Sequence, residues 1–369
     1  MPLSNNKTIH DSIYGSIELG EDVSNIISTK EFQRMNTVKQ LGFTYLVFPG
    51  ATHSRFEHSL GTHYLAREAS SRLGLKEEDI ADTSLAGLLH DAGHPPFSHS
   101  LEDAMMEIYG KDHLDVTIDI IEGRTPNNEI SDVLGVHKRP VVEILKGRKG
   151  VMSRLISGNG DVDQIDYLAR DSYYTGVALG AVDIPRILRV LTIYGNELCV
   201  EEKGLPSVEG LMVARMLMYR TVYRHKTSLI ASSLANEALR VMNPEYSEFV
   251  QWNDCDFLAE LKKSSYETYT SLKHRKLPRG IIVKETEENF LELTGKIENK
   301  IISHQYFKSP FKTDVLKVLT QHGVTPITTF SSIMQFLEKE LEGMGLLILR
   351  PDKEKEVRDF LGTLNKYYQ

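Results

Sequence analysis

Residues 88–100 read LLHDAGHPPFSHS: three histidines, an aspartate and two prolines placed directly behind an apolar run. Adjacent residues on an α-helix point about 100° apart, so His90 and Asp91 would not normally meet in mid-helix. At a helix end both can lean into one notch. Ala92-Gly93 offers a stop there, because glycine tolerates the left-handed cap conformation. Pro95 disfavours helical geometry at His94, and Pro96 can open the next element. The pattern predicts a helix that closes on His90-Asp91, with His94 presented on a constrained turn.

Histidine is the commonest metal ligand and the side chain best suited to proton transfer near neutrality. Of the 13 in the chain, seven (His53, His58, His63, His90, His94, His99 and His113) crowd into about a sixth of its length. Any one alone is as well explained as a surface or satisfied core residue; a cluster with carboxylates is not. His58 falls on an earlier helical segment, with Arg55 three residues before it on the same face. The segment DVDQIDYLARD places Asp163, Tyr167 and Asp171 at i, i+4 and i+8, so two carboxylates and an aromatic share a face. Asp166 and Arg170 form a separate i, i+4 pair, read as a surface support. The spacing of GNGDVDQID does not fit a calcium-binding EF-hand, and no HExxH occurs. Two histidines and two aspartates make a mixed N/O site suited to one divalent Mn, Fe, Zn or Mg ion.

The chain has 369 residues, 41% hydrophobic and 25% charged, with a formal net charge of −8. That size supports a sizeable core, and the acidic balance argues against a protein that coats nucleic acid. Cys199 and Cys255 are too far apart for a CxxC pair or a disulfide framework. No apolar run approaches the roughly 20 residues that span a bilayer, and MPLSNNKTIHD lacks signal-peptide character, so a soluble cytoplasmic protein is expected.

The expected fold is mainly α: a large helical unit over 1–275 with short β-hairpins, then a smaller α/β subdomain over 276–369. A hairpin is expected around Gly15, a brief helix from Ser28 or Thr29, and an extended piece at LGFTYLVFPG. Helices follow at 55–73 and 77–90 and from near Ser98, with helical material broken at Pro126 and Pro140. A hairpin at NELCVEEKGLPSVEG should precede one long helix over 208–241. Its stripe Arg215, Tyr219, Tyr223 and Lys226 suits phosphate or a solvated face equally. KLPRGIIVKE and GLLILRPDK look like strands, and SIMQFLEKELE like an amphipathic helix. Glycine-rich phosphate cradles and the GxSxG nucleophile elbow are absent, so any bound phosphate must be held by side chains.

The spaced set His58, His90-Asp91 and Asp163 resembles the H…HD…D signature of the HD-domain metal phosphohydrolases. The blocks QLGFTYLVFPGATHSRFEHSLG, LAGLLHDAGHPPFSHS, DVDQIDYLARD and YRTVYRHK are similar to the dNTP triphosphohydrolase (dGTPase-like) branch. That branch includes the sterile-alpha-motif-and-HD-domain enzyme, and the likeness spans residues 8–275. It implies an HD-domain helical core with His58, His90, Asp91 and Asp163 as metal ligands. His94 would be an acid/base supported by Glu102 and His113. Arg55 and His99 would meet the α-phosphate, and Gln40, Leu41, Tyr167 and Asp171 the sugar. Arg215 would reach the outer phosphates, with Tyr223 and Arg224 near the base. Gln164 and Tyr219 depart from the branch, which has a lysine and a histidine at these places.

The activity so implied is hydrolysis of a dNTP to deoxynucleoside and inorganic triphosphate. The alternatives are an HD phosphohydrolase acting on an NMP, a cyclic nucleotide or an alarmone, and a non-catalytic nucleotide sensor or nucleic-acid scaffold. The expected partners are a nucleotide substrate, a nucleotide effector and further copies of the chain (a dimer or larger), without membrane or nucleic acid. The basic cluster KHRKLPRG at 273–280 suits either an effector or a solvated linker, the linker being favoured.

Overall fold

Asp91 is buried at the end of an apolar run that packs into the main core of the molecule. The computed structural model describes residues 7–158, 160–178, 182–308, 316–340 and 343–363. The chain is mainly helical. The helices that position the site are α1 (Lys30–Arg34), α2 (Arg55–Arg72), α3 (Glu77–Leu89), α4 (Glu102–Tyr109), α5 (His113–Ile121), α6 (Val162–Thr175), α7 (Leu205–Met218) and α8 (Lys226–Met242). Leu85, Leu88 and Leu89 of α3 lie in the main core with Leu60 and Leu65 of α2 and with Ile165 and Leu168 of α6. Burying such a side chain contributes roughly 1.5–3 kcal/mol.

Among the described residues nine strands form three small sheets. β1 (Lys7–Asp11) and β2 (Gly15–Leu19) make the expected antiparallel hairpin, turning at Gly15 with φ +73°. β3 (Leu191–Tyr194) and β4 (Glu197–Glu201) are also antiparallel, and β7 (Lys317–Thr320) joins β4 in parallel, followed by β8 (Gly323–Pro326). β5 (Gly280–Val283) and β6 (Ile301–Phe307) flank β9 (Met344–Leu349). All six residues of β9 are buried. Leu347 and Leu349 face Phe290 and Leu293, whereas Leu346 and Ile348 face Leu229 and Ile230 of α8. A strand covered on both faces is a continuous apolar run, as GLLIL is.

Several expectations need correction. LGFTYLVFPG is not extended: Gly42–Leu46 is a 3-10 turn, because Phe43 must stack on Phe97 at 4.2 Å. The span 208–241 is two helices. α7 passes into a π-turn at Tyr219–Tyr223, and α8 begins afresh after His225. The second hairpin turns earlier than expected, at Gly195-Asn196, while Leu205-Pro206 opens α7. Pro140 does not break a helix but sits in the first turn of Lys138–Leu145, where its missing N–H is harmless. The amphipathic helix at SIMQFLEKELE is found over Ser332–Glu340; its last two residues lie outside the described ones. Residues 1–6 of the N-terminal segment lie outside them too. Among the described residues no helix is long and apolar enough to cross a membrane.

Candidate active site

Ser54 caps α2 with a capping box: its side chain accepts from the Glu57 amide, and Glu57 accepts from the Ser54 amide at 2.8 Å. The first turn so fixed delivers Arg55 and His58, both buried. Asp161 caps α6, accepting from the Gln164 amide at 2.7 Å, and Asp163 and Asp166 follow in its first turns. His90 is the C-terminal cap of α3.

His90, Asp91, His58 and Asp163 meet in one notch. Nε2 of His58 lies 3.0 Å from Oδ1 of Asp163 and 3.3 Å from Oδ2 of Asp91. Nε2 of His90 lies 3.3 Å from Oδ1 of Asp91 and 3.5 Å from Oδ1 of Asp163. The other ring nitrogens are occupied: Nδ1 of His58 is 2.7 Å from Asp166, and Nδ1 of His90 is 2.8 Å from the Gly87 carbonyl. Those acceptors fix the Nδ1–H tautomer and aim each Nε2 lone pair into the notch. Both Nε2 atoms are buried and make no hydrogen bond. Two such imidazoles and two carboxylates are the donor set of a divalent cation, so the residues fit one. Burial lowers the His58 pKa, but the surrounding carboxylates of Asp163, Asp166 and Asp91 outweigh it and raise it well above the ordinary value.

Asp166 and Arg170 do not form the surface support expected of them. Both are fully buried. Arg170 grips Asp166 at 2.9 and 3.0 Å and reaches Asp11 on β1 at 2.8 Å. Burial would raise the Asp166 pKa, yet the Arg170 charge and the His58 bond bring it down to about 2. Gly61 makes room for the pair: a Cβ there would collide with Asp166 and Arg170.

The turn after Asp91 is tied on every side. Gly93 is not left-handed, contrary to expectation. It is required because a Cβ would strike the backbone of His113 and Thr117, and its N–H donates to Thr117 Oγ1 at 2.9 Å. Left-handed backbone falls instead at Phe97 and Ser98, with φ near +56° and +55°. Such strain persists only where surroundings over-determine it. Here Asp254 accepts the Phe97 amide at 2.6 Å, and Ser98 donates to the Lys39 carbonyl at 2.7 Å. Arg34 of α1 donates to the carbonyls of Ala92 and His94 at 2.7 and 2.9 Å.

His94 stacks on His113 with centroids 4.2 Å apart, and its Nε2 is 3.3 Å from Asp91. Glu102 does not touch His94. Its carboxylate binds Nδ1 of His113 and, at 2.6 Å, Nδ1 of His99. Burial, then the charges of Arg55 and His113, hold His94 well below the ordinary histidine range. Burial acts the same way on His113, but the Glu102 bond outweighs it and raises the pKa.

A cavity of about 800 Å³ opens above the notch. Every site residue expected from the sequence lines it except His58, which lies buried behind. Arg55 donates to Ser98 at 2.8 Å and pairs with Asp91. Gln40 is 6% exposed, and its Oε1 has no partner; Leu41 is half-buried beside it. Tyr167 meets Tyr223 edge-on at 6.1 Å. Both oxygens of Asp171 are engaged, one by His53 at 2.7 Å and the other by the Tyr223 hydroxyl at 2.7 Å. Arg215 hydrogen-bonds Tyr219, and Arg224 donates to the Lys308 carbonyl. Gln164 turns into its own loop, donating to the Gly158 carbonyl at 2.7 Å. Asp161 beside it is buried; that burial, and then the Asp163 charge, push its pKa up to about 8. The 273–276 cluster is exposed, with Arg275 donating to the Leu46 carbonyl at 2.9 Å.

Sequence reasoning placed the Asp166–Arg170 support at the surface instead of in the core, and did not name Arg34 or His53 as supports. The i, i+4 spacing of Asp166 and Arg170 was visible, but nothing local distinguishes a buried pair from an exposed one. Nothing in the sequence links Arg34 to a turn nearly sixty residues away.

A model described as the HD domain matches residues 55–171, and one described as the HD associated region matches residues 182–304. An uncharacterized protein of Methanocaldococcus jannaschii is 36% identical over 284 residues, covering 75% of this chain and 59% of the relative. The deoxynucleoside triphosphate triphosphohydrolase SAMHD1 of Homo sapiens is 31% identical over 309 residues, covering 72% of this chain and 49% of the relative. The chain thus spans about half the length of the curated relatives it matches. Among solved structures, a hypothetical protein from Aquifex aeolicus superposes with a TM-score of 0.83 at 29% identity, covering 96% of this chain and 100% of that one. A phosphohydrolase from Bacteroides thetaiotaomicron gives 0.80 at 27% identity, covering 94% and 100%.

Proposed function

Because the chain belongs to the HD-domain phosphohydrolases, we propose that it hydrolyses deoxynucleoside triphosphates to deoxynucleoside and inorganic triphosphate. The observation that carries the reading is the pair of buried, unpartnered Nε2 atoms of His58 and His90 facing Asp91 and Asp163 beneath a nucleotide-sized cavity. His58, His90, Asp91 and Asp163 would hold a divalent ion, which would supply Lewis-acid polarisation of a phosphoryl oxygen and favour ionisation of water at the site. Likeness to the human triphosphohydrolase supports the choice of substrate.

The chain's own groups do the rest. Arg55, oriented by Ser98 and Asp91, stabilises negative charge developing at the α-phosphate. Gln40 and Leu41 confront the sugar from one side, Tyr167 and Asp171 from the other; Asp171 has spare lone pairs to accept the 3′-hydroxyl proton. Water adds to the α-phosphorus, the bond to the 5′-oxygen breaks, and the leaving oxygen takes a proton. Burial favours the uncharged form of His94, which suits it to accept a proton from the attacking water. The proton for the 5′-oxygen comes from the pair of histidines bound to Glu102, with His99 presented to the cavity. Arg215 meets the outer phosphates, and Arg224 lies at the base end. Of the histidine pair on Glu102, His113 also stacks on His94.

The test is incubation with each dNTP and Mn²⁺ or Mg²⁺ in ¹⁸O-water, followed by chromatography and mass spectrometry. Triphosphate carrying the label beside unlabelled deoxynucleoside is expected. Pyrophosphate or single phosphate as the product would replace this reading with that of a different nucleotide phosphohydrolase.

A further inference from the structure

Among the described residues, two neutral side chains on the cavity wall away from the metal notch each leave a buried polar atom without a hydrogen bond. One is Oε1 of Gln40; the other is Oγ of Ser228, a side chain only 5% exposed. Ser228, Ser232 and Asn236 recur at i, i+4 and i+8 on α8, and all three line the cavity. The latter two are committed. Ser232 donates to Ser100 Oγ, which lies 3.0 Å away. Asn236 donates to the Ser100 carbonyl at 2.6 Å and accepts from the Ala104 amide at 2.9 Å. Ser228 therefore offers a hydroxyl that the folded chain leaves unspent, and burying such a group unpaired is costly.

The surroundings are those of a slot for a flat ring. Leu229, adjacent to Ser228, packs with Phe307 of β6, and both line the cavity. β6 is fastened by Gln305 to Asp103 of α4, and the chain just past its end by the Lys308 carbonyl to Arg224. Apolar walls with one hydrogen-bonding edge are how proteins hold a nucleobase. The side chains along this α8 face, Ser228, Ser232 and Asn236, are small, and the cavity of about 800 Å³ that they line is large enough for a nucleotide with a two-ring base. A hydroxyl both donates and accepts, so it can meet the edge of adenine or guanine alike.

We propose that Ser228 is a specificity-determining residue whose hydroxyl meets the nucleobase edge and whose small size admits purines. The proposal rests on the reading of this cavity as the dNTP site. Loss of one neutral hydrogen bond corresponds to roughly a tenfold change in a binding constant. Ser228→Ala should accordingly raise KM for dATP and dGTP about tenfold with kcat little changed, and Ser228→Thr should restore it. Ser228→Leu should lower the purine-to-pyrimidine ratio of kcat/KM by at least tenfold, because the added carbons fill the slot.

Dissociation constants of the α,β-imido analogues of dATP and dCTP, measured by calorimetry on the metal-loaded wild type and all three variants, separate binding from turnover. A shifted dATP-to-dCTP binding ratio in Ser228→Leu, with weaker dATP binding in Ser228→Ala, supports the assignment even if no triphosphate is released, in which case only the hydrolytic reading falls. Unchanged constants in folded Ser228→Ala overturn it whatever the activity, and that variant stays informative if Ser228→Leu does not fold.

Discussion

Asp166 shows how far one buried carboxylate can reach. It fixes the tautomer and orientation of His58, is itself held by Arg170, and through Arg170 ties the site to Asp11 on the first hairpin. Supports of this kind typically change metal affinity 10–100-fold when mutated. Asp166→Asn should thus weaken Mn²⁺ binding by that factor while leaving the four ligands in place, as competition with a chelating dye would measure. Glu102 offers a pH test. It raises the folded-state pKa of His113, so the proton is retained to higher pH than on a free imidazole and lost as pH rises through that raised value. If that proton serves the leaving group, Glu102→Gln should move the alkaline limb of the kcat profile to lower pH. An unchanged limb would show that the proton comes from elsewhere.

At the level of elements, two glycines let helices approach where a methyl group cannot fit. Gly93 admits the backbone of α5 against the turn that follows Asp91, and Gly61 leaves space on α2 for the Asp166–Arg170 pair of α6. Breaking a buried ion pair costs about 3–5 kcal/mol. Gly61→Ala should therefore destabilise the protein by an amount of that order, read by urea unfolding, and should also weaken metal binding because His58 loses its support. The caps Ser54 with Glu57 and Asp161 with Gln164 were not singled out in the sequence, whereas the start of α1 at Thr29 was legible from local residues. The π-turn at Tyr219–Tyr223 was not. YRTVY has no proline or glycine to announce a break, and the irregularity comes with a tertiary contact, the Tyr223 hydroxyl on Asp171. The 3-10 turn at Gly42–Leu46 has a similar cause in the Phe43–Phe97 stack, which a propensity for extended structure could not foresee.

Across the whole molecule, the change of texture near residue 275 marks where strands become frequent. The division into 1–275 and 276–369 remains a proposal based on that texture. β7 pairs with β4, β9 packs on α8, and β6 forms one wall of the cavity. These contacts predict a single cooperative transition by calorimetry, shifted upward as one by metal because only the native notch binds it. Two transitions, with only the first moved by metal, would favour the separate subdomain. The spacing of His58, His90-Asp91 and Asp163, the amphipathic helices around them and the apolar run of β9 were all determined by the sequence alone, because periodicity and ligand chemistry are local properties. Which carboxylate supports which histidine, where the chain is forced left-handed, and that Ser228 is left unsatisfied were decided only by tertiary structure. Each depends on groups dozens to hundreds of residues apart meeting in a buried space, where an unmet hydrogen bond or an unpaired charge is costly enough to select the arrangement.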